Sequence, residues 1–177
     1  EIQERLAALS QSFSEHVLDA TDGFAYYAQA EELDGLPDDV RQATREAAQA
    51  EGKDGHKLTL HQPVYAPAMQ YGTHRSLRET LYKAYVTRAS ELGPAERDNG
   101  PLMRELLELR QEAAALLGHA TYADVSLVPK MARTPAEVDA FLRDLAQRAK
   151  PFAERDMTEL RAFAAAESAF GDAVSVL

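Results

Sequence analysis

The stretch IQERLAALSQSFSEHVLDATDGFAYYAQAE, residues 2–31, decides the fold class. Leu6, Leu9, Phe13, Val17, Ala20, Phe24 and Tyr27 recur in it at intervals of three or four. That spacing lays apolar side chains along one stripe of an α-helix, which turns once in about 3.6 residues. The pattern predicts one amphipathic helix over about residues 2–31, stopping near Asp34-Gly35, where glycine can take a left-handed C-terminal conformation.

The same reading carries along the chain. Leu36-Pro37-Asp38-Asp39 opens a second helix to about Glu51, with proline near its first turn, two acids at its positive end and Val40, Ala43 and Ala47 inward. Residues 57–62 alternate through Leu58 and Leu60 and form the one plausible strand, its partner expected outside this segment. Pro63 and Pro67 bracket a short turn or helix holding Tyr65, Met69 and Tyr71. A helix follows over about His74 to Leu92, with Leu77, Leu81, Ala84, Tyr85 and Arg88 on one side. Residues 95–100 read as a loop. Pro101 starts a helix through Leu102, Leu106, Leu109, Ala113 and Leu116, ended by Gly118. A short helix is expected over residues 121–128. The Thr134–Glu137 capping box opens a long helix through Val138, Phe141, Leu142 and Leu145, which Pro151 should kink or interrupt. Its continuation through Leu160 and Phe163 reaches about Phe170. The sum is an all-α, multi-helix single domain over residues 1–177 with one minor strand.

Composition narrows the function. Of 177 residues, 45% are apolar and 27% charged, and the net charge is −10. Thirteen acids against four bases in residues 1–55 hold −9 of it. Nucleic-acid binding needs lysines and arginines against phosphate, so nucleic acid is not an expected partner. No apolar run reaches the ~20 residues of a membrane span, so a membrane is not one either. Cysteine is absent, which excludes disulfides and thiolate metal sites. The chain opens on Glu1 with no signal-peptide pattern and closes on apolar Ala173–Leu177, and both ends are expected to be cut.

Candidate chemistry is sparse. A zinc hydrolase needs two histidines a helical turn apart and a carboxylate base. His16, His56, His61, His74 and His119 contain no pair four apart. His16 shares a helix face with Asp19, where an exposed or capping role suffices; His56 and His61 should point to opposite sides of the strand. The serines lack a nucleophile elbow, and no phosphate loop occurs. No catalytic, cofactor-binding or metal-binding residue is therefore assigned. Tyr65, Tyr71, Tyr82 and Tyr85 suit a core or groove wall. Arg75, Arg78 and Arg88 suit either a peptide carboxylate or surface pairs with Glu79 and Glu91.

Five stretches carry a family resemblance: SQSFSEHVLDATDGF (Ser10–Phe24), LTL-x-x-P-x-Y-x-P-x-M (Leu58–Met69), RETLYKAYVTRAS (Arg78–Ser90), LRQEAAALLGHATYADVSLVPKMA (Leu109–Ala132) and FLRDLAQRAKP (Phe141–Pro151). In that order they resemble the oligopeptidase A/thimet oligopeptidase family of zinc metallopeptidases, in its N-terminal, non-catalytic helical part and nearer the bacterial branch. The resemblance implies a cytoplasmic enzyme that hydrolyses short peptides in a channel between helical lobes. Zinc would be bound by an HExxH helix and a later glutamate. HExxH does not occur in these residues, so zinc belongs to the parent enzyme and no cofactor is expected here. This lobe of the larger helical fold would be inactive alone, pack against the catalytic domain of the same polypeptide and form one channel wall. Some residues of the Tyr65–Tyr85 region, which includes Arg75 and Arg78, are expected to line the channel, with Tyr71 and Arg78 as the positions that test it. The alternative is a stand-alone α-helical interaction domain without enzymatic activity.

Overall fold

The computed structural model describes residues 1–166, and seven α-helices and two short strands make up its regular structure apart from two 3₁₀ turns. The fold is an all-α lobe with a minor two-stranded sheet. The chain divides into two units, Glu1–Glu112 and a second beginning at Ala113, each treated by itself below.

Helix α1 (Ile2–Asp22) is shorter than its periodicity predicts. Leu6 and Leu9 are buried, and Phe13, Val17 and Ala20 are half-buried, as the stripe requires. The helix nevertheless ends at Gly23, whose N–H donates to the Asp19 carbonyl. Strand β1 (Tyr26–Ala28) follows, and Phe24, Tyr26 and Ala28 then alternate onto the core face. Phe24 and Tyr27 fit a helical interval by coincidence; an aromatic-rich run of alternating residues fits a pleated strand equally well.

The partner of β1 is β2 (His56–Leu58), antiparallel, with Tyr26 opposite Leu58, Tyr27 opposite Lys57 and Ala28 opposite His56. The expectation of a partner outside the segment is therefore corrected: the chain pairs with itself. Gly55 makes the close approach possible, with φ +87 at Gly35 having the same use beside Tyr71. At Gly55 φ is +86, and a Cβ would stand 2.5 Å from the Ala28 carbonyl oxygen.

Helix α2 (Asp38–Ala50) packs on β2 through Val40, Thr44 and Ala48, one residue offset from the expected Ala43 and Ala47. A threonine can sit in that stripe because its hydroxyl donates to the Val40 carbonyl at 3.0 Å. Helix α3 (Gln62–Tyr71) begins with proline in its first turn, and α4 (Arg75–Val86) is capped by His74. Ala28, Leu33, Leu58, Leu60, Leu77 and Leu81 form the main core of the first unit.

Helix α4 stops at Val86 rather than near Leu92. Thr87 returns its hydroxyl to the Lys83 carbonyl, and Ala89 takes a left-handed φ of +50. Leu92, read as a helix residue, is 74% exposed. The expected loop contains a 3₁₀ turn, Ala95–Arg97, and the buried Asn99. Helix α5 (Gly100–Leu116) lays Leu102, Leu106 and Leu109 against Ile2, Leu6 and Leu9 of α1. Arg5 and Glu105 close the same contact with two parallel bonds of 2.5 and 2.8 Å.

In the second unit, Gly118 (φ +79) ends α5, and α6 (Tyr122–Leu127) carries an unforeseen capping box between Thr121 and Asp124. Helix α7 (Pro135–Ala166) starts at the predicted box: the Glu137 N–H donates to the Thr134 hydroxyl at 3.1 Å. It passes through Pro151 without interruption. None of its described residues is buried. Its predicted end near Phe170 and the apolar tail lie outside the described residues.

Candidate functional site

Of the tyrosines singled out in sequence, Tyr65 and Tyr85 meet at the α3–α4 contact. Tyr65 and Tyr85 stack with centroids 4.2 Å apart and planes 13° from parallel. The Arg88 guanidinium lies 3.7 Å from the Tyr85 centroid. Two groups that close to one ring must occupy opposite faces, so Tyr85 is sandwiched between a phenol and a cation. Arg88 also donates from Nε to the Tyr85 carbonyl at 2.9 Å and from Nη1 to the Thr21 hydroxyl at 2.7 Å. The Tyr85 hydroxyl accepts from Gln62 at 3.0 Å.

These contacts make Arg88 a joint between α4 and the last turn of α1. It pairs with neither Glu79 nor Glu91: Glu79 is held by Lys83 at 2.5 Å, which together with the more distant Arg75 lowers the Glu79 pKa. Burial, followed by the neighbouring Tyr85 and Tyr82 phenols, raises the Tyr65 hydroxyl above the ordinary tyrosine range. That shift moves it away from neutral pH, opposite to what a general acid or base would need.

Tyr71 ends α3 and is 49% exposed. Arg78, half-buried, donates to the Gly72 carbonyl and so braces the turn beside it. Tyr71 and Arg78 thus share one end of α3, with the tyrosine ring open and the arginine tied to backbone.

The histidines have separate duties. Asn99 donates to the Phe13 carbonyl at 3.0 Å, so its side-chain oxygen accepts from His16 Nδ1 at 2.9 Å. His56 is buried, and its Nδ1 lies 3.0 Å from the Arg41 carbonyl and 3.1 Å from the Thr44 hydroxyl. A carbonyl only accepts, so Nδ1 carries the proton, and burial lowers the His56 pKa. His61, on the exposed side, faces Asp22 at 3.1 Å. His74 accepts the Leu77 N–H at the start of α4. Among the described residues no three histidine, cysteine, aspartate or glutamate side chains converge as metal ligands would.

Sequence reasoning missed the Thr44–His56 pair, the buried Asn99 and the Arg88–Thr21 bond. The one available signal was a threonine in line with Val40 and Ala48. Nothing in periodicity joins Arg88 to Thr21 across 67 positions.

A sequence model of peptidase family M3 matches residues 68–175. Oligopeptidase A of Haemophilus influenzae is 46% identical over 97% of the chain and 25% of its own length. The probable cytosolic oligopeptidase A of Arabidopsis thaliana is 37% identical over 92% of the chain and 24% of its own length. Saccharolysin of Saccharomyces cerevisiae is 26% identical over 91% and 22%. The chain spans about a quarter of the length of the curated relatives it matches. Among the described residues no helix is long and apolar enough to cross a membrane.

Proposed function

The chain belongs to peptidase family M3, and from that premise we propose that it is a non-catalytic helical segment of a zinc-dependent oligopeptidase that hydrolyses short peptides in the cytoplasm. The observation that carries this reading is the 46% identity to oligopeptidase A across nearly the whole chain.

HExxH does not occur in the sequence, and among the described residues no three histidine, cysteine, aspartate or glutamate side chains converge as zinc ligands would. The ligands are therefore assigned to the part of the polypeptide outside these residues, where zinc would activate water and polarise the scissile carbonyl. The segment's own contribution is shape. As one wall of a channel it would orient an extended peptide and exclude folded proteins, effects that act on binding rather than on the bond-breaking step.

Within that wall, Tyr71 and the backbone braced by Arg78 are the proposed substrate contacts, since the ring is half open to solvent. In the full-length enzyme, Tyr71→Ala should raise KM for longer peptides about fivefold more than for the shortest, equivalent to about 1 kcal/mol of binding. Arg78→Ala should act in the same direction, with zinc content unchanged in both. Loss of stability with equal effects on every peptide length would remove these residues from the channel. Chelator-sensitive hydrolysis by the 177-residue chain alone would overturn the non-catalytic reading.

A further inference from the structure

A cleft of about 350 Å³ lies in the first unit between the last turns of α2 and the turn that leads into β2. Its most buried wall is His56, 4% exposed. The ring gives its Nδ1–H to the Arg41 carbonyl, which leaves Nε2 as a bare acceptor. No described residue donates to Nε2, and no buried side-chain nitrogen among the described residues lacks a partner. Nε2 therefore reaches solvent, and the cleft it lines is the way out. A ring fixed by its other nitrogen presents that lone pair in one direction.

Cations stand around the lone pair. Arg45 lines the cleft and makes no ion pair or hydrogen bond among the described residues, whereas Arg41, one turn earlier, pairs with Asp38 at 3.0 Å. Lys53 lines it too, its ammonium resting 3.8 Å from the Tyr27 ring centroid. Neighbouring Glu51 is taken up by Lys57 and Tyr27. Gln49 adds an amide, and Asp54 is the carboxylate among the lining residues. Open carbonyls at the end of α2 would repel an anion. Those of Ala48 and Gln49 instead accept the N–H groups of Glu51, Gly52 and Lys53 at 2.9 to 3.1 Å.

The set is uneven in a way that selects a ligand. Two cations ask for negative charge, while the neutral imidazole asks for a hydrogen-bond donor. Burial first, then the charges of Arg45 and Arg41, keep the ring neutral near pH 7.5. A dianion without a proton, such as sulfate, would set an acceptor against Nε2. Hydrogen phosphate meets both demands, because it carries negative charge and keeps one P–OH at neutral pH. We propose that this cleft binds inorganic hydrogen phosphate, with its P–OH donating to His56 Nε2 and its other oxygens accepting from Arg45 and Lys53. A phosphate monoester loses its last proton near pH ~6 and is rejected on the same ground as sulfate. The site stands apart from peptide hydrolysis and does not depend on the oligopeptidase reading.

Isothermal titration calorimetry of the full-length enzyme at pH 7.5 and constant ionic strength tests it, with inorganic phosphate, sulfate and glycerol phosphate as probes. Phosphate should bind at least tenfold more tightly than either of the other two. Arg45→Gln, a change at an exposed position, should weaken phosphate at least tenfold. Asp54→Asn removes the opposing charge and should tighten it about threefold. Absence of phosphate binding up to about 10 mM would overturn the proposal. So would equal affinities for phosphate and sulfate, which would mean that Nε2 does not read the proton. A phosphate affinity unchanged in Arg45→Gln would assign the ion to another part of the enzyme, its metal included, and remove it from this cleft.

Discussion

Leu81 on α4 and Leu145 on α7 hold equivalent places on two amphipathic helices and end in opposite environments. Leu81 is fully buried, whereas Leu145 is 52% exposed. Around Leu81 the chain supplies its own cover, from the small sheet and from α2 and α3. Leu145 keeps about half of its surface open, and no described residue of α7 is buried. A helical apolar stripe thus states that a face needs covering; it carries no information on which segment will cover it.

The sharpest way to break this comparison is to truncate both leucines in the 177-residue chain. Leu81→Ala should cost about 2–5 kcal/mol, the usual range for emptying a packed site. Leu145→Ala should cost less than about 1 kcal/mol, as for other surface positions. Urea midpoints measure both, and equal losses would mean that α7 is already packed in the segment.

A smaller effect is expected at the sheet. His56 is held neutral by burial, so its folded pKa lies below its unfolded value of 6.5. Between the two, the unfolded chain binds more protons than the folded one, and stability rises with pH. The contribution is complete above about pH 6.5 and is lost as pH falls through the folded pKa, with a slope of at most about 1.4 kcal/mol per pH unit. Urea midpoints of the wild type should fall between pH 7.5 and 5.5 more steeply than those of His56→Gln; parallel profiles would show that His56 is not the titrating group.

The least effect belongs to the ion pairs on α7. Arg148→Ala removes an exposed pair one helical turn long and should change stability by no more than about 0.5 kcal/mol. Thermal melts of the segment check it. A larger loss would show that Arg148 meets something beyond Asp144.

The helices from Ile2 to Asp22 and from Pro135 onward were legible because each announces itself locally, by apolar spacing and, for α7, by a capping box. The α3–α4 aromatic cluster was legible as a cluster, since its members sit close in sequence, but its arrangement was not. In sequence Arg88 suits either a peptide carboxylate or a surface ion pair; in the fold it is clamped between Tyr85 and Thr21. Asn99 reads as loop polarity, yet it is buried and ties His16 to the Phe13 carbonyl. Such contacts join residues more than sixty positions apart, and local pattern holds no trace of them.

By itself, the sequence determined the helical class, most helix starts, the end of α5 at Gly118, and the family. Only the tertiary structure decided where α1 gives way to β1, that β1 answers β2, and that α4 closes at Val86 around Arg88. Helix propensity and periodicity are properties of a few neighbouring residues, so sequence displays them directly. Whether Phe24–Ala28 continues a helix or pairs as a strand depends on the free energy of meeting residues 56–58 and the core beneath them, and that is fixed only when the distant segments are brought together.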